Sequence, residues 1–179
     1  MKLLRTIRLD ASDTFIFEPA AVPGEWAVSG AFVFWNCDPT KLEGKARAAF
    51  RGGFLGVNSL GWSTLVQIVE ATAQDRANAI NELAQRLVER FGAPDIKTAS
   101  AAAEEEIAFA ESLAIEDKDT LIAVHRTYDG EIREAFRSLR PRSGPKPLRA
   151  FSFMEVEGEE EPQTEERVEL ASLAERDGR

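Results

Sequence analysis

Two side chains common in metal sites and catalytic centres are almost missing from this chain. Among 179 residues there is one cysteine, Cys37, and one histidine, His125. A single cysteine cannot form an internal disulfide, and a zinc site needs at least three ligands of the histidine or cysteine type. The sequence therefore predicts no disulfide and no metal site, and we expect no bound cofactor.

Long apolar runs are missing as well. No window approaches the roughly 18 to 20 consecutive apolar residues that cross a bilayer. Near the N-terminus, Arg5 interrupts the apolar residues before a run of signal-peptide length can build. We therefore expect neither membrane insertion nor export, and a protein that works in the reducing cytoplasm.

Negative charge is abundant but unevenly placed. Acidic residues outnumber basic ones by 31 to 22, for a net charge of −9. Residues 155–179 hold ten acidic side chains and three arginines, which leaves a net charge of only −2 for residues 1–154. With 44% hydrophobic residues there is enough apolar surface for a core. We expect one domain over residues 1–156 and an acidic, flexible tail over residues 157–179.

A basic stretch precedes the acidic tail. Residues 133–149 contain six basic side chains against Glu134 alone, a local net charge of +5. The tail could compete with an anionic ligand of these arginines, or the two regions could simply be solvated. Nucleic acid is a poor candidate for that ligand, because the chain is acidic overall and no aromatic residues suited to base stacking alternate with the arginines.

Apolar periodicity predicts the elements of the fold. In chain order they are a hairpin over 3–9 and 14–17, a strand over 25–35, a short helix from Pro39 to near Arg51, a strand over 63–71, a helix between a capping box at Thr72–Asp75 and Gly92, a helix over 95–114, a hairpin over 120–127 and 131–139, and a last strand over 148–156. This order predicts an α+β fold in two layers, with about three helices packed mainly on one face of a largely antiparallel sheet.

The stretch 52–62, GGFLGVNSLGW, is the nearest approach to a nucleotide-binding motif. Loops that bind phosphate run from a strand into a helix, so that the helix N-terminal amides point at the anion. Here a predicted helix comes first and a strand follows. We therefore predict a glycine-capped bend rather than a phosphate loop.

No set of residues in the sequence forms a recognisable catalytic centre. Cys37 and His125 would need to meet beside an orienting carboxylate, and their spacing gives no reason to expect this. We expect a structural histidine and an unreactive cysteine. Glu104, Glu105 and Glu106 are consecutive on a predicted helix, point in different directions and are expected to form a solvated face.

The arginines of the second hairpin offer an alternative site. Arg133 and Arg137 share a face by the period of a strand, and Arg126 lies on the partner strand next to His125. Together these four side chains could bind a carboxylate, a phosphate or an acidic protein segment. The other interpretation is an ordinary exposed face.

Aromatic residues suggest an interface. The predicted strand over 25–35 is apolar on both faces, and such a strand lies centrally in a sheet or at a contact with another chain. The candidate interface residues are Trp26, Phe32, Phe34 and Trp35, together with Trp62. They favour a protein partner or a homodimer.

Three stretches carry a resemblance to a known family. They are LRTIRLDASDTFIFEPAAVPGEWAVSGAF, FRGGFLGVNSLGWSTLV and LIAVHRTYDGEIREAFRSLRPR. Together they resemble a small family of bacterial cytoplasmic proteins of similar length and unknown function, over about residues 2–142. The resemblance carries over no catalytic residue. It implies an accessory role, since the family's gene neighbourhood includes redox-enzyme maturation proteins and proteins similar to cofactor ligases.

The leading functional hypothesis is therefore a non-enzymatic binding or accessory module, for assembly or maturation, that acts through protein contacts as a homodimer. The alternative is a small-anion-binding protein or an enzyme with an arginine-lined pocket near the 120–139 hairpin.

Overall fold

Short strands and helices combine into two antiparallel sheets with helices packed against them, which confirms the predicted α+β class. The computed structural model describes residues 1–140 and 155–156. In these residues the strands are β1 (Lys2–Thr6), β2 (Ala27–Val28), β3 (Phe54–Gly56), β4 (Trp62–Ser63), β5 (Leu65–Glu70), β6 (Leu121–Tyr128), β7 (Ile132–Arg140) and β8 (Glu155–Val156). The helices are α1 (Ser12–Ile16), α2 (Gly44–Gly52), α3 (Ala73–Phe91) and α4 (Ile96–Leu113), and two 3-10 turns span Ala31–Phe34 and Pro39–Lys41.

The main sheet has the strand order β1-β5-β6-β7-β8, and the small sheet has the order β2-β3-β4. The predicted hairpin of β6 and β7 is confirmed, and its turn contains Gly130 at φ +99°. In the part of the chain that the structure describes, β5 pairs with β6 only as far as Ala123. The second half of β6 is therefore free of β5, and α2 lies against β6.

The two long helices form as predicted because their ends are well specified. Thr72 and Asp75 form a reciprocal capping box at the start of α3, and Gly92 ends the helix at φ +73°. Asp95 caps α4 by accepting a hydrogen bond from the amide of Thr98 at 2.8 Å. The buried stripe of α4 is largely alanine, and α3 and α4 pack against each other. Within the described residues, no helix is both long enough and apolar enough to cross a bilayer.

The first predicted hairpin is wrong in its second half, because residues 12–16 form helix α1. Asp10 accepts a hydrogen bond from the amide of Ser12 at 2.7 Å, which starts a turn where a strand was expected. The buried carboxylate of Asp13 then accepts one from the Thr64 hydroxyl at 2.6 Å. These polar contacts outweigh the strand preference of Thr14-Phe15-Ile16-Phe17.

The predicted strand over 25–35 is also wrong. Strand β2 covers only Ala27–Val28, and Gly30 turns the backbone at φ +79° into the 3-10 turn. A Cβ at Gly30 would stand 2.6 Å from the Cβ of Leu55, so only glycine fits against β3 there. The aromatic residues of this segment consequently do not line the two faces of one strand.

One hydrophobic cluster runs through both sheets and the long helices. Phe34 is at its centre in the small-sheet region, stacked on Trp62 at 5.3 Å and edge-on to Phe50 at 5.2 Å. The predicted strand over 148–156 falls outside the described residues except for β8, which pairs with β7, and the predicted tail over 157–179 lies wholly outside them.

Candidate functional site

The four residues predicted to bind an anion do not share one face of the sheet. Arg126 pairs with Glu134 in the register of β6 and β7, and His125 is the preceding residue on β6. Successive residues of a strand face opposite sides, so Arg126 points away from the face that carries His125, Arg133 and Arg137. Arg126 is 1% exposed, whereas the other three are exposed. The grouping of Arg126 with them was wrong, and an anion site at the other three stays a prediction.

The exposed face of this hairpin has only a weak concentration of positive charge. Arg133 forms ion pairs with Asp129 at 3.4 Å and with Glu131 at 3.1 Å, all on the surface. His125 and Arg137 line a surface concavity of about 280 Å³ beside β6. Because acidic neighbours already match Arg133, this face offers an anion less than the sequence pattern suggested.

Arg126 instead connects three parts of the fold. Its Nη1 donates hydrogen bonds to the carbonyl oxygens of Gly53 at 2.7 Å and Phe50 at 3.1 Å, at the end of α2. Its Nη2 donates to the carbonyl oxygen of Ser29 after β2, and its Nε donates to Glu134 on β7 at 2.8 Å. The guanidinium therefore links α2, the small sheet and the main sheet.

This position suits a cation. The last carbonyl groups of a helix have no partners within the helix, and they carry the negative end of the helix dipole. Burial lowers the pKa of Arg126, and the carboxylate of Glu134 acts in the opposite direction. The charge of Arg126 is thus stabilised by the end of α2 and by Glu134, and its role is structural.

Glu106 on α4 lies beside this buried ion pair. The pKa of Glu106 is raised to about 7, chiefly by burial and then by the charge of Glu134, while the charge of Arg126 acts to lower it. Glu106 was predicted to belong to a solvated helix face, and that prediction is wrong. The available signal was its place between Ala103 and Ala110, which are three residues before it and four after it in the buried stripe.

Two carboxylates with unlike environments resemble an acid–base pair. The hydroxyl of Ser29 and Nε of Arg126 both donate to the same oxygen of Glu134, which is therefore already engaged. Glu134 thus links β7 to Arg126 on β6 and to Ser29 after β2, which is a contribution to the stability of the fold.

A second arginine-lined concavity lies at the surface beside α2. It has a volume of about 270 Å³ between α2, the 3-10 turn at Pro39–Lys41 and the end of β6. Its lining includes two exposed arginines four residues apart on α2, a buried phenylalanine and three exposed residues that carry hydroxyl groups: Arg47, Arg51, Phe50, Thr40, Thr127 and Tyr128. Neither arginine was among the residues predicted from the sequence. They belong to a helix without any acidic residue, which was the signal available.

The five predicted interface residues separate into core and surface. Trp26, Phe34 and Trp62 lie in the hydrophobic core of the chain itself, so their rings are not available to another subunit. Phe32 is half-buried, and Trp35 is 69% exposed. Of the five candidate interface residues, only Phe32 and Trp35 therefore remain at the surface.

An aromatic surface feature remains, which we call the Trp35 patch and define as Phe32, Trp35 and Phe91. The ring of Phe32 contacts Trp35 edge-on at 6.4 Å and Phe91 edge-on at 5.3 Å. Val88, one turn before Phe91 on α3, is also exposed. The patch joins the 3-10 turn at Ala31–Phe34 to the end of α3, two segments that are far apart in the sequence.

The glycine-rich stretch does cradle an anion, but that anion belongs to the chain. One oxygen of the Glu25 carboxylate accepts hydrogen bonds from the amides of Asn58 and Ser59 at 2.8 Å each. The other oxygen accepts one from the amide of Val22 at 2.8 Å. A Cβ at Gly56 would meet this carboxylate at 2.3 Å, which explains one glycine of the motif by close approach.

The lone cysteine and histidine are both exposed. The thiol of Cys37 donates to the carbonyl of Phe34 at 3.3 Å, and His125 lies on the open face of β6. Among residues 1–140 and 155–156, no group of three or more His, Cys, Asp or Glu side chains is placed to hold a metal ion.

Comparison with known proteins supplies a family and nothing on chemistry. A family model described as a family of unknown function, DUF6505, matches residues 1–154. The chain belongs to DUF6505. No curated protein and no solved structure matches the chain.

The DUF6505 match includes every site described above. Glu25, Trp35, the two arginines of α2 and the cluster around Arg126 all lie between residues 1 and 154. The acidic segment over 157–179 lies beyond the match. A function common to DUF6505 therefore has to be sought in the matched region rather than in that segment.

Proposed function

We propose that this member of DUF6505 is a non-enzymatic binding or accessory module that forms a homodimer through the Trp35 patch. The observation that supports the proposal is the placement of Trp35. Its ring is 69% exposed, yet it is held edge-on against Phe32, which packs in turn on Phe91. Tryptophan is enriched among the residues that dominate the energy of protein interfaces.

The apolar area of this patch is the area that a dimer would cover. Trp35 is 69% exposed and Phe91 is 39% exposed, whereas Phe32 is half-buried, so Trp35 offers the largest ring area still in contact with water. A two-fold interface contributes each ring twice, once from each protomer. Buried area does not convert directly into affinity, so the dissociation constant has to be measured.

A second copy of the chain is the partner that the chemistry of the patch favours. A two-fold interface brings the same surface of both protomers together, so the surface must be complementary to itself. Phe32, Trp35 and Phe91 carry no charge, and two apolar patches do not repel each other as two patches of like charge would. The accessory role and the cytoplasmic location predicted from the sequence belong to the same proposal.

Sedimentation velocity tests the dimer over protein concentrations from about 1 to about 100 µM. We expect the wild-type chain to sediment as a dimer at the upper end and Trp35→Ala to remain a monomer throughout. Phe15→Ala is the matched control, because Phe15 is an exposed ring outside the patch, on α1. It should sediment as the wild type does.

Two results would count against the proposal. One is a wild-type chain that stays monomeric at about 100 µM, and the other is equal weakening of the dimer by Trp35→Ala and Phe15→Ala. Far-UV circular dichroism of each variant separates loss of the dimer from loss of folding. Both substitutions remove an exposed ring, so both variants should fold.

The alternative predicted from the sequence, a small-anion binder near the 120–139 hairpin, is supported by a different pair of arginines from those named there. These are the two arginines of α2 that line the concavity between α2 and the end of β6. That concavity lies outside the Trp35 patch.

A further inference from the structure

We propose that the concavity between α2, the 3-10 turn at Pro39–Lys41 and the end of β6 binds the phosphate group of a small molecule. The residues that would bind it are Arg47 and Arg51, with Thr127 and Tyr128 as further donors. This inference goes beyond the proposed homodimer, since it concerns a different surface and a different kind of ligand.

The first argument is the pairing of the arginines. Most arginines in residues 1–140 donate to a carboxylate or a carbonyl group of the chain. Arg47, Arg51 and Arg90 make no side-chain hydrogen bond or ion pair with any other described residue. Two of these three lie together, four residues apart on α2, and both line the concavity.

The second argument is the electrostatic repulsion between Arg47 and Arg51. Like charges four residues apart on a helix face each other and destabilise the helix. Helix α2 also contains Lys45 and no acidic residue of its own; Glu43, its N-cap, is four residues before Arg47 and is the only acidic residue next to the helix in the sequence. Lys45 is matched by Glu18 at 3.4 Å, so the uncompensated charge is concentrated at Arg47 and Arg51. A bound anion would remove the repulsion.

The third argument concerns Arg126, which also lines the concavity although its guanidinium is buried. The carbonyl groups of Phe50 and Gly53 at the end of α2 accept hydrogen bonds from Arg126. Arg51 is therefore not required to cap its own helix. The negative end of the α2 dipole is neutralised, and it does not oppose an anion in the concavity.

The fourth argument is the fit of the ligand. Two guanidinium groups and the hydroxyl groups of Thr127 and Tyr128 match the many acceptor oxygens of a phosphate better than the two oxygens of a carboxylate. The volume of about 270 Å³ exceeds what inorganic phosphate alone requires and leaves room for the rest of a small phosphate ester. Two acidic side chains stand close to the lining along the chain, and both are engaged. Asp129, which follows Tyr128, pairs with Arg133 at 3.4 Å, and Asp38 accepts hydrogen bonds from the amide and hydroxyl of Thr40 at 3.0 and 2.6 Å.

Isothermal titration calorimetry with inorganic phosphate tests the site, in a buffer of constant ionic strength at about neutral pH. We expect the double variant R47Q/R51Q to bind phosphate at least about tenfold more weakly than the wild type, because each charged hydrogen bond contributes on that scale. Arg90→Gln is the matched control. Arg90 lies in the last turn of α3 as Arg51 does in α2, and it is also unpaired within the described residues. Its phosphate affinity should equal that of the wild type.

Three further titrations test which anion binds and whether charge alone is sufficient for binding. R47K/R51K keeps both charges but loses the forked geometry, so it should fall between the wild type and R47Q/R51Q. Acetate at the same ionic strength should bind more weakly than phosphate. Trp35→Ala should bind phosphate normally, which separates this site from the proposed dimer.

Three results would overturn the inference. They are no measurable heat with phosphate in the wild type, equal affinities for the wild type and R47Q/R51Q, and acetate binding as tight as phosphate binding. Thermal unfolding in the same buffers provides a second readout, because a ligand that binds only the folded state raises the unfolding temperature. That increase should disappear in R47Q/R51Q and persist in Arg90→Gln.

Discussion

At the scale of single residues, the buried charge of Arg126 contributes strongly to the stability of the fold. Arg126 is 1% exposed and contacts α2, the small sheet and Glu134, so its removal would leave both a partly buried carboxylate and unpaired carbonyl groups. Breaking one partner of such a pair typically costs about 3 to 5 kcal/mol, whereas surface pairs such as Arg133 with Glu131 contribute at most about 1 kcal/mol. The two arginines look alike in the sequence and differ only in the face they occupy.

Glu106 makes the stability of the protein depend on pH. Its ordinary pKa of 4.5 is raised to about 7 in the folded state, chiefly by burial and then by the charge of Glu134. The folded state therefore holds this proton more tightly than the unfolded state does. The resulting stabilisation is complete below the unfolded pKa and is lost as pH rises through the folded pKa.

We expect Glu106→Gln to remove this dependence, since glutamine carries no charge at either pH. Relative to the wild type, the variant should gain roughly 2 to 3 kcal/mol between about pH 5 and about pH 8. Urea unfolding of both proteins at the two pH values measures the difference. Glu105→Gln is the control, because Glu105 is an exposed neighbour on the same helix, and it should change far less. An identical pH profile for wild type and Glu106→Gln would contradict the assignment.

Among the elements, the β3–β4 hairpin shows how a short pair of strands depends on a contact from outside itself. Strands β3 and β4 have three and two residues, too few to hold their turn by pairing alone. The carboxylate of Glu25 supplies the missing acceptor for the turn amides of Asn58 and Ser59. The same close contact explains why glycine stands at position 56.

We expect Glu25→Gln to destabilise the fold by about 2 kcal/mol, because hydrogen bonds to a charged acceptor are replaced by weaker bonds to an amide. Chemical denaturation measures the change. Glu43→Gln serves as the control, since Glu43 is exposed and its side chain makes no cap hydrogen bond at the start of α2. A loss no larger than that of the control would show that the turn does not need the carboxylate.

At the scale of the whole molecule, the two sheets share one hydrophobic cluster. Leu55 of the small sheet and Leu83 of α3 are both fully buried in it. A chain with one continuous core is expected to unfold in a single transition. The single domain predicted from the sequence can therefore be tested by whether distant parts of the core unfold together.

We expect Leu55→Ala and Leu83→Ala each to lower the free energy of unfolding by about 2 to 5 kcal/mol. In each variant, tryptophan fluorescence and far-UV circular dichroism should give coincident urea curves. The first signal reports mainly on the region around Trp26 and Trp62, and the second mainly on α3 and α4. Separate transitions for the two signals, with each variant shifting only one of them, would divide the chain into two units.

The long helices and the β6–β7 hairpin could be predicted because their signals are local. The capping box of Thr72 and Asp75, the stop at Gly92 and the Asp129-Gly130 turn each involve residues within a few positions of one another. Helix α1 and the 3-10 turn at Ala31–Phe34 were mistaken for strands, because aromatic and β-branched residues favour strands wherever no distant contact intervenes. At α1 the deciding contact is between Asp13 and Thr64, 51 residues apart.

The amino-acid sequence by itself determined the α+β class, the charge distribution and the elements whose ends it specifies. Only the tertiary structure decided which charged side chains are buried, which ring of the aromatic segment is exposed and which arginines share a concavity. These outcomes depend on contacts between residues far apart in the chain, such as Glu25 with Ser59 and Arg126 with Gly53, separated by 34 and 73 positions. Periodicity identifies which residues share a face, but not what the folded chain places against that face.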